Sequence, residues 1–346
     1  MSMNSNNNIN NLNRGRIEYI DAMRGFTMIL VVLQHVGTFC WKINGVSIHP
    51  YLSQIRMPMF FFISGFVLFK ANVIWDSKQM ISFFRKKIPV QLLSPFLFFS
   101  LFVFISKESL FNTILLDASK MGYWFTFVLF IYYIIYASIR FCIRNKWSDI
   151  ILILIGCLLY PIIMPTIYNS LPLSDEIKGF LCIPNWHYFL FFVLGTLTKK
   201  HFTIFERLLD KTHLIAVCII LYFLINGYAD LLPINKHIVA HAMAFPGLII
   251  LFYFFRNKQL YFSKGTFIGR SLQYIGRRTL DIYLIHFFLL PKGLNFITLF
   301  NDYPMPIIEA TASLIIALII VAACLLLGNI IRLSPLLAHW LFGAKV

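Results

Sequence analysis

Charge is scarce in this chain, and acidic charge is scarcest. Of 346 residues, 13% are Asp, Glu, Lys or Arg, and 14 are acidic, against roughly 25% charged in a typical soluble domain. A water-facing globule is excluded. The polar lead MSMNSNNNINNLNR lacks the apolar core of a secretory signal, and it reads as a disordered cytosolic tail over residues 1–15. Cysteine is sparse as well. Cys40, Cys142, Cys157, Cys182, Cys218 and Cys324 stand singly, with neither a CxxC pair nor a ligand-like spacing, so packing is their first reading and no metal is expected. Cys40 and Cys182 fall near the same predicted side, which leaves a disulfide between them open.

What the chain has in abundance is apolar sequence, 59% of its residues. Runs long enough to cross ~30 Å of hydrocarbon recur from end to end. They lie near 22–41, 51–69, 88–105, 122–141, 148–165, 185–198, 213–229, 236–255, 279–297 and 306–331. Uninterrupted backbone in lipid must satisfy its own hydrogen bonds, so these spans are expected to be helical. The expected fold is an all-α integral membrane protein, a bundle of about ten transmembrane helices in one domain over 16–335, followed by a short cytosolic tail at 336–346. The sixth span is short if it begins after Pro184, and it is a candidate for a tilted or re-entrant segment. Proline suits a first helical turn, so the third span is expected to start close to Pro89.

Basic residues orient the bundle. With the N-terminus inside, 23 of the 30 Lys and Arg fall on the inner side and 7 on the outer. That bias is the one cytosolic loops carry, and it places both termini in the cytosol. The net charge of +16 is then mostly topology, and with 7 acids against 7 bases outside, nothing asks for nucleic acid as a partner.

The first span carries two residues that a bilayer penalises. In DAMRGFTMILVVLQH, Arg24 and His35 are eleven positions apart, which is about 20° past three full turns and about 16 Å along the axis. They share one helical face. Ionisable groups at such depth usually face a bundle interior or pathway. A snorkelling anchor paired with Asp21 is the plain alternative for Arg24, and a hydrogen-bonded core histidine is the plain alternative for His35. Together they read as two ends of a channel.

Several stretches resemble one family. DAMRGFTMILVVLQH, RMPMFFFISGF (Arg56 to Phe66), YWF at 123–125, FLFFVLGTL at 189–197 and GRRTLDIYLIH at 276–286 occur in order. In these segments the chain resembles the membrane-bound acyltransferase-3 family over roughly residues 15–330. The resemblance implies transfer of an acyl group, usually acetyl, from cytosolic acyl-CoA to hydroxyls of carbohydrates or lipid-linked glycans across the cytoplasmic (inner) membrane. One departure stands out. In FFRKKIPVQLLSP, Gln91 occupies the place where the family pattern leads one to expect a second arginine.

That implied chemistry assigns expected roles. His35 and Arg24 are the catalytic candidates, with His35 as general base or, alternatively, as a transiently acylated nucleophile. Arg85, Lys86, Lys87, Arg277 and Arg278, with Arg270 nearby, are expected to meet the phosphates of acetyl-CoA, although inside-positive bias explains each of them equally well. Gly265, Gly269 and Gly276 would let a loop approach a nucleotide. Ser64, Tyr123 and Trp124 are candidates for the acceptor or oxyanion site on motif grounds, Ser64 being equally suited to close helix packing.

Other polar residues carry weaker signals. His237 and His241 stand four apart and would line an outer acceptor pocket or, with no third ligand in view, pack. Asp281 is expected to pair with Arg277 or Arg278 at helical spacing. His286 has no assigned role. Trp41, Trp186 and Tyr188 read as interfacial anchors. A solute transporter is the rival reading, but transporters commonly show internal repeats, and spans one to five do not repeat in six to ten. Within the enzyme class, a succinyl or longer acyl donor is the nearest alternative to acetyl.

Overall fold

The computed structural model describes residues 17–40, 49–228, 238–239, 242–291 and 306–343. The described residues form helices, with no strand among them. Helix α1 (Glu18–Cys40) is followed by α2 (His49–Leu68) and α3 (Ser77–Ile88), which runs through a π-helical turn at Pro89–Leu93 into α4 (Ser94–Ile105). Short α5 (Leu110–Leu115) precedes α6 (Trp124–Cys142) and α7 (Trp147–Leu159). Two more short helices, α8 (Pro165–Ser170) and α9 (Asp175–Phe180), and a 3-10 segment at Ile183–Tyr188 lead into α10 (Phe189–Lys200). Then come α11 (Phe202–Leu209), α12 (Thr212–Gly227), α13 (Ala244–Asn257), α14 (Phe267–Arg277), α15 (Thr279–Leu289), α16 (Pro306–Ile331) and α17 (Pro335–Phe342).

Each predicted span overlaps a helix, but the helices differ in reach. Among the described residues, four continuous ones, α1, α3 through α4, α6 and α16, are long and apolar enough to cross a membrane, and α11 with α12 forms an apolar pair bent by 76°. The rest of the apolar helices are shorter, α15 among them. Apolar side chains left on the outside mark where lipid would lie. On α16, Ile307, Ile319 and Leu326 are 82%, 63% and 63% exposed, whereas α1 is buried on most of its surface. Helix α1 stands between two packed clusters. Its first turns, with Tyr19, Ala22 and Met23, join one centred on α2, α6, α10 and α13, while Met28 to Cys40 join another built from α4, α15 and α16.

The third span starts earlier than expected. Asp76 accepts the Gln79 amide and caps a helix that begins at Ser77, not near Pro89. Inside this helix Pro89 lacks an N–H and its ring crowds the preceding turn. The chain answers by widening into a π turn, in which the Ser94 amide donates to the Pro89 carbonyl. Gln91 sits in that turn.

Glycines fix the two closest helix contacts. A Cβ on Gly65 would lie 1.9 Å from the Phe192 carbonyl oxygen, and one on Gly195 would lie 2.0 Å from that of Phe62. So α2 and α10 meet backbone to backbone, as small residues allow in membrane bundles. Gly25 and Gly276 do the same for α1 and α14, with Cβ positions 2.0 Å from the carbonyls of Leu272 and Asp21. This corrects the nucleotide reading for Gly269 and Gly276, whereas a Cβ on Gly265 would meet only the Ser263 hydroxyl, at 3.5 Å. Gly276 approaches α1, and a Cβ on Gly269 would strike the Ser263 carbonyl at 2.0 Å.

Ion pairs tie the helix ends. Asp281 pairs with Arg278 as expected, and also takes a two-pronged contact from Arg332, whose Nε and Nη2 donate at 2.9 and 2.7 Å. Asp149 pairs with both Arg140 and Lys200, linking α7 to α6 and α10. All six cysteines are free. Cys40 and Cys182 are buried in different clusters, so no disulfide joins them.

Candidate active site

A cavity of about 560 Å³ opens between α1, α2, α3, α6 and α15, within the roughly 300–1,000 Å³ usual for small-molecule sites. Its α1 wall is Arg24, Met28, Val31 and His35, a stripe with steps of four, three and four residues that marks one helical face. The two polar ends of that stripe are about 16 Å apart along the helix. Between them the wall is mostly apolar.

One end is cationic. Lys70, just past α2, and Lys86 and Lys87 on α3 line the cavity with Arg24. Lys87 Nζ stands 4.9 Å over the Tyr133 ring and 5.7 Å over that of Phe83, so its charge is held against aromatic faces at the cavity wall. Gln91 follows on the π turn, and its buried amide oxygen has no hydrogen-bond partner. That oxygen accepts only, so a ligand group with an N–H or O–H would satisfy it. Arg85 is exposed and does not line the cavity.

The other end is aromatic and holds His35. Its imidazole is partly buried, with ring centres of Phe287, His286 and Phe39 at 4.8, 5.2 and 5.9 Å. Space for Phe287 comes from Gly122, which has a φ of +101° and where a Cβ would fall 2.0 Å from the ring. Lys120 and Met121 also have positive φ, 48° and 51°, conformations that cost energy for residues with a Cβ. The turn is held by the buried Lys120 ammonium, which donates to the carbonyls of Ile114, Asp117 and Gly179. Burial lowers the pKa of that lysine from its ordinary value. Asp117 takes the Met121 amide at 2.7 Å. This strained turn aims Trp124 into the cavity.

The predicted residues divide as follows. Arg24, His35, Ser64, Trp124, Lys86 and Lys87 share the cavity wall. The Ser64 hydroxyl donates to the Phe60 carbonyl at 2.7 Å, so its proton is engaged and only its lone pairs face a ligand. Tyr123 is fully buried and its hydroxyl donates to the Leu284 carbonyl at 2.8 Å; it packs behind the wall instead of lining it. Arg277 is exposed, and Arg278 is engaged with Asp281; neither lines the cavity. His237, His241 and Trp41 lie outside the described residues.

Four features had no clear sequence signal. Lys70 looked like one more inner-loop cation. Tyr188, read as an interfacial anchor, stacks instead on Phe61 and Trp124 with ring centres 5.3 and 5.9 Å away. Arg56, near the start of α2, interacts electrostatically with Tyr188 and with His35. His286 is the fourth, and it is fully buried.

A family model described as an acyltransferase domain, Acyl_transf_3, matches residues 17–327. No curated protein and no solved structure matches the chain.

Proposed function

The chain belongs to the acyltransferase-3 family, and from that membership we propose that it is a membrane O-acyltransferase that moves an acyl group, acetyl in the first instance, from acyl-CoA to a carbohydrate hydroxyl. One observation carries the reading: a single cavity has cations at one end and a histidine at the other. In this reading the bundle lies in the cytoplasmic membrane with both termini in the cytosol. The cationic mouth faces the cytosol, and the acceptor, a surface or lipid-linked glycan, enters from the far side.

Lys70, Lys86, Lys87 and Arg24 would meet the phosphates of the donor. Lysine acts there as a point charge and arginine as a two-pronged donor. The pantetheine arm, which carries amide N–H groups, then passes Gln91 and runs along the apolar wall towards His35. Trp124, backed by the Tyr188 ring stacked on it, offers an aromatic side chain on the cavity wall to a sugar ring on the other side. An unprotonated ring nitrogen of His35 takes the proton of the acceptor hydroxyl as its oxygen attacks the thioester carbonyl carbon. Collapse of the tetrahedral intermediate breaks the C–S bond. Coenzyme A leaves as the thiolate and recovers the proton from His35, giving an ester and a free thiol. The indole N–H of Trp124 is the donor on the wall best suited to the developing oxyanion, because the Ser64 proton is already engaged.

Donor binding tests the mouth. Replacing Lys86 and Lys87 together by alanine is expected to weaken acetyl-CoA binding by on the order of tenfold, since each hydrogen bond to a charged group contributes roughly 1.5–3 kcal/mol before solvent screening reduces it. The salt dependence of binding falls with it. Titration of acetyl-CoA into nanodisc-embedded protein at two ionic strengths measures both, and an unchanged affinity at low salt would move the donor away from this mouth.

A further inference from the structure

His286 is an unusual residue to bury. It shows no exposed surface, lies on α15 within the apolar cluster, and does not line the cavity. Its Nδ1 is 2.9 Å from the Ile282 carbonyl oxygen. A carbonyl only accepts, so Nδ1 carries the proton and Nε2 is left as a bare acceptor. That acceptor is buried and has no hydrogen-bond partner, an arrangement that costs free energy unless something uses it. The acid on the same helix, Asp281, is engaged by Arg278 and Arg332.

The neighbour that fits is His35. The two ring centres are 5.2 Å apart, and two imidazoles joined by an N–H···N bond of about 3 Å have centres roughly 5 Å apart. We infer that His286 is a positioning residue for His35: the two rings are not hydrogen-bonded in this structure, and a rotation of the neighbouring His35 ring brings its N–H onto the His286 Nε2, which fixes that ring's tautomer and leaves the other nitrogen unprotonated towards the cavity. His286 keeps its own Nδ1 proton on the Ile282 carbonyl throughout, so no proton passes to it. The arrangement is that of a base oriented by a third group, with a neutral imidazole in place of a carboxylate. A neutral partner orients the base without holding its proton, so His35 returns the proton readily to the departing thiolate. Phe287, 4.8 Å from one imidazole and 4.0 Å from the other, keeps the pair packed.

The inference rests on His35 being the base, and its test has one arm that does not. In nanodiscs, His286→Leu is expected to lower kcat for acyl transfer at least tenfold, with acetyl-CoA affinity and acceptor KM within about twofold of wild type. His286→Gln, which restores an acceptor oxygen, recovers most of the loss. The second arm is nitrogen NMR of protein labelled with 15N-histidine and assigned through single His variants. Wild type gives His35 as a single neutral tautomer, and His286→Leu gives a mixture. Equal kcat in all three proteins would overturn the inference, as would a wild-type His35 already mixed between tautomers. If His286→Leu fails to fold, the wild-type spectrum and His286→Gln still decide. If wild type transfers no acyl group from any acyl-CoA while His35 remains a single tautomer that His286→Leu disturbs, the proposed chemistry fails and the histidine pair stands.

Discussion

Replacing His35 by alanine is expected to lower acyl-transfer turnover by roughly 10²–10⁴, the usual contribution of a positioned general base. The substitution removes the only imidazole on the cavity wall among the described residues. The cations at the mouth are untouched, so acetyl-CoA should bind within about twofold of the wild-type affinity. Counting labelled acetyl groups on the acceptor, alongside donor titration, separates the two effects. A loss confined to donor affinity would make His35 a binding residue. Undiminished turnover would remove it from the chemistry altogether.

The second large effect is structural. Gly65→Val or Gly195→Val is expected to destabilise the bundle by ~3 kcal/mol, the upper part of the usual range for overpacking. At Gly65 even the Cβ would sit 1.9 Å from a carbonyl oxygen, against the 3.0 Å below which real Cβ contacts essentially never fall. Helices α2 and α10 would have to part by about 1.1 Å, and backbone cannot turn aside as a flexible side chain can. Ser64 stands beside Gly65, so the cavity wall shifts with the helix. The control is Gly227→Ala, whose Cβ meets nothing within 4 Å and which should melt at the wild-type temperature. Thermal melts of the three variants in nanodiscs decide it. A Gly65→Val protein as stable as Gly227→Ala would mean that this helix contact is not close.

Much of this layout was legible from residue types and spacing, for reasons that can be named. The stripe Arg24, Met28, Val31 and His35 follows from helical periodicity alone, since one helix sets all four positions. The start of α3 was missed because the reading followed hydropathy. Ser77–Ile88 is amphipathic and basic, and its real signal is local: Asp76 as a cap, accepting the Gln79 amide. Pro89 was read as a helix start because a π turn that absorbs a proline leaves no mark in composition. Gly269 and Gly276 were recognised as sites of close approach but given the wrong neighbour. Sequence shows that Gly276 has no side chain, and only the fold shows that α1 fills the space.

The histidine end was the least legible part. His35 and His286 are 251 positions apart in the chain, and no periodicity relates residues on different helices. IYLIH shows a histidine inside an apolar run, which is equally what a packed core histidine looks like. Tyr123 and Trp124 adjoin in sequence yet divide in function, because the strained turn at Lys120, Met121 and Gly122 sends one ring behind the wall and the other into the cavity.

The central claim is that acyl-CoA enters this cavity with its acyl group at the His35 end. An acyl-CoA carrying a photoreactive diazirine in the acyl chain tests it most directly, with irradiation in nanodiscs followed by peptide mapping. The predicted adducts fall on Val31, His35, Trp124 and Tyr283 around the cavity's histidine end, and excess acetyl-CoA abolishes them. Adducts on the lipid-facing side of α12 or α16 that excess acetyl-CoA does not displace would contradict the account.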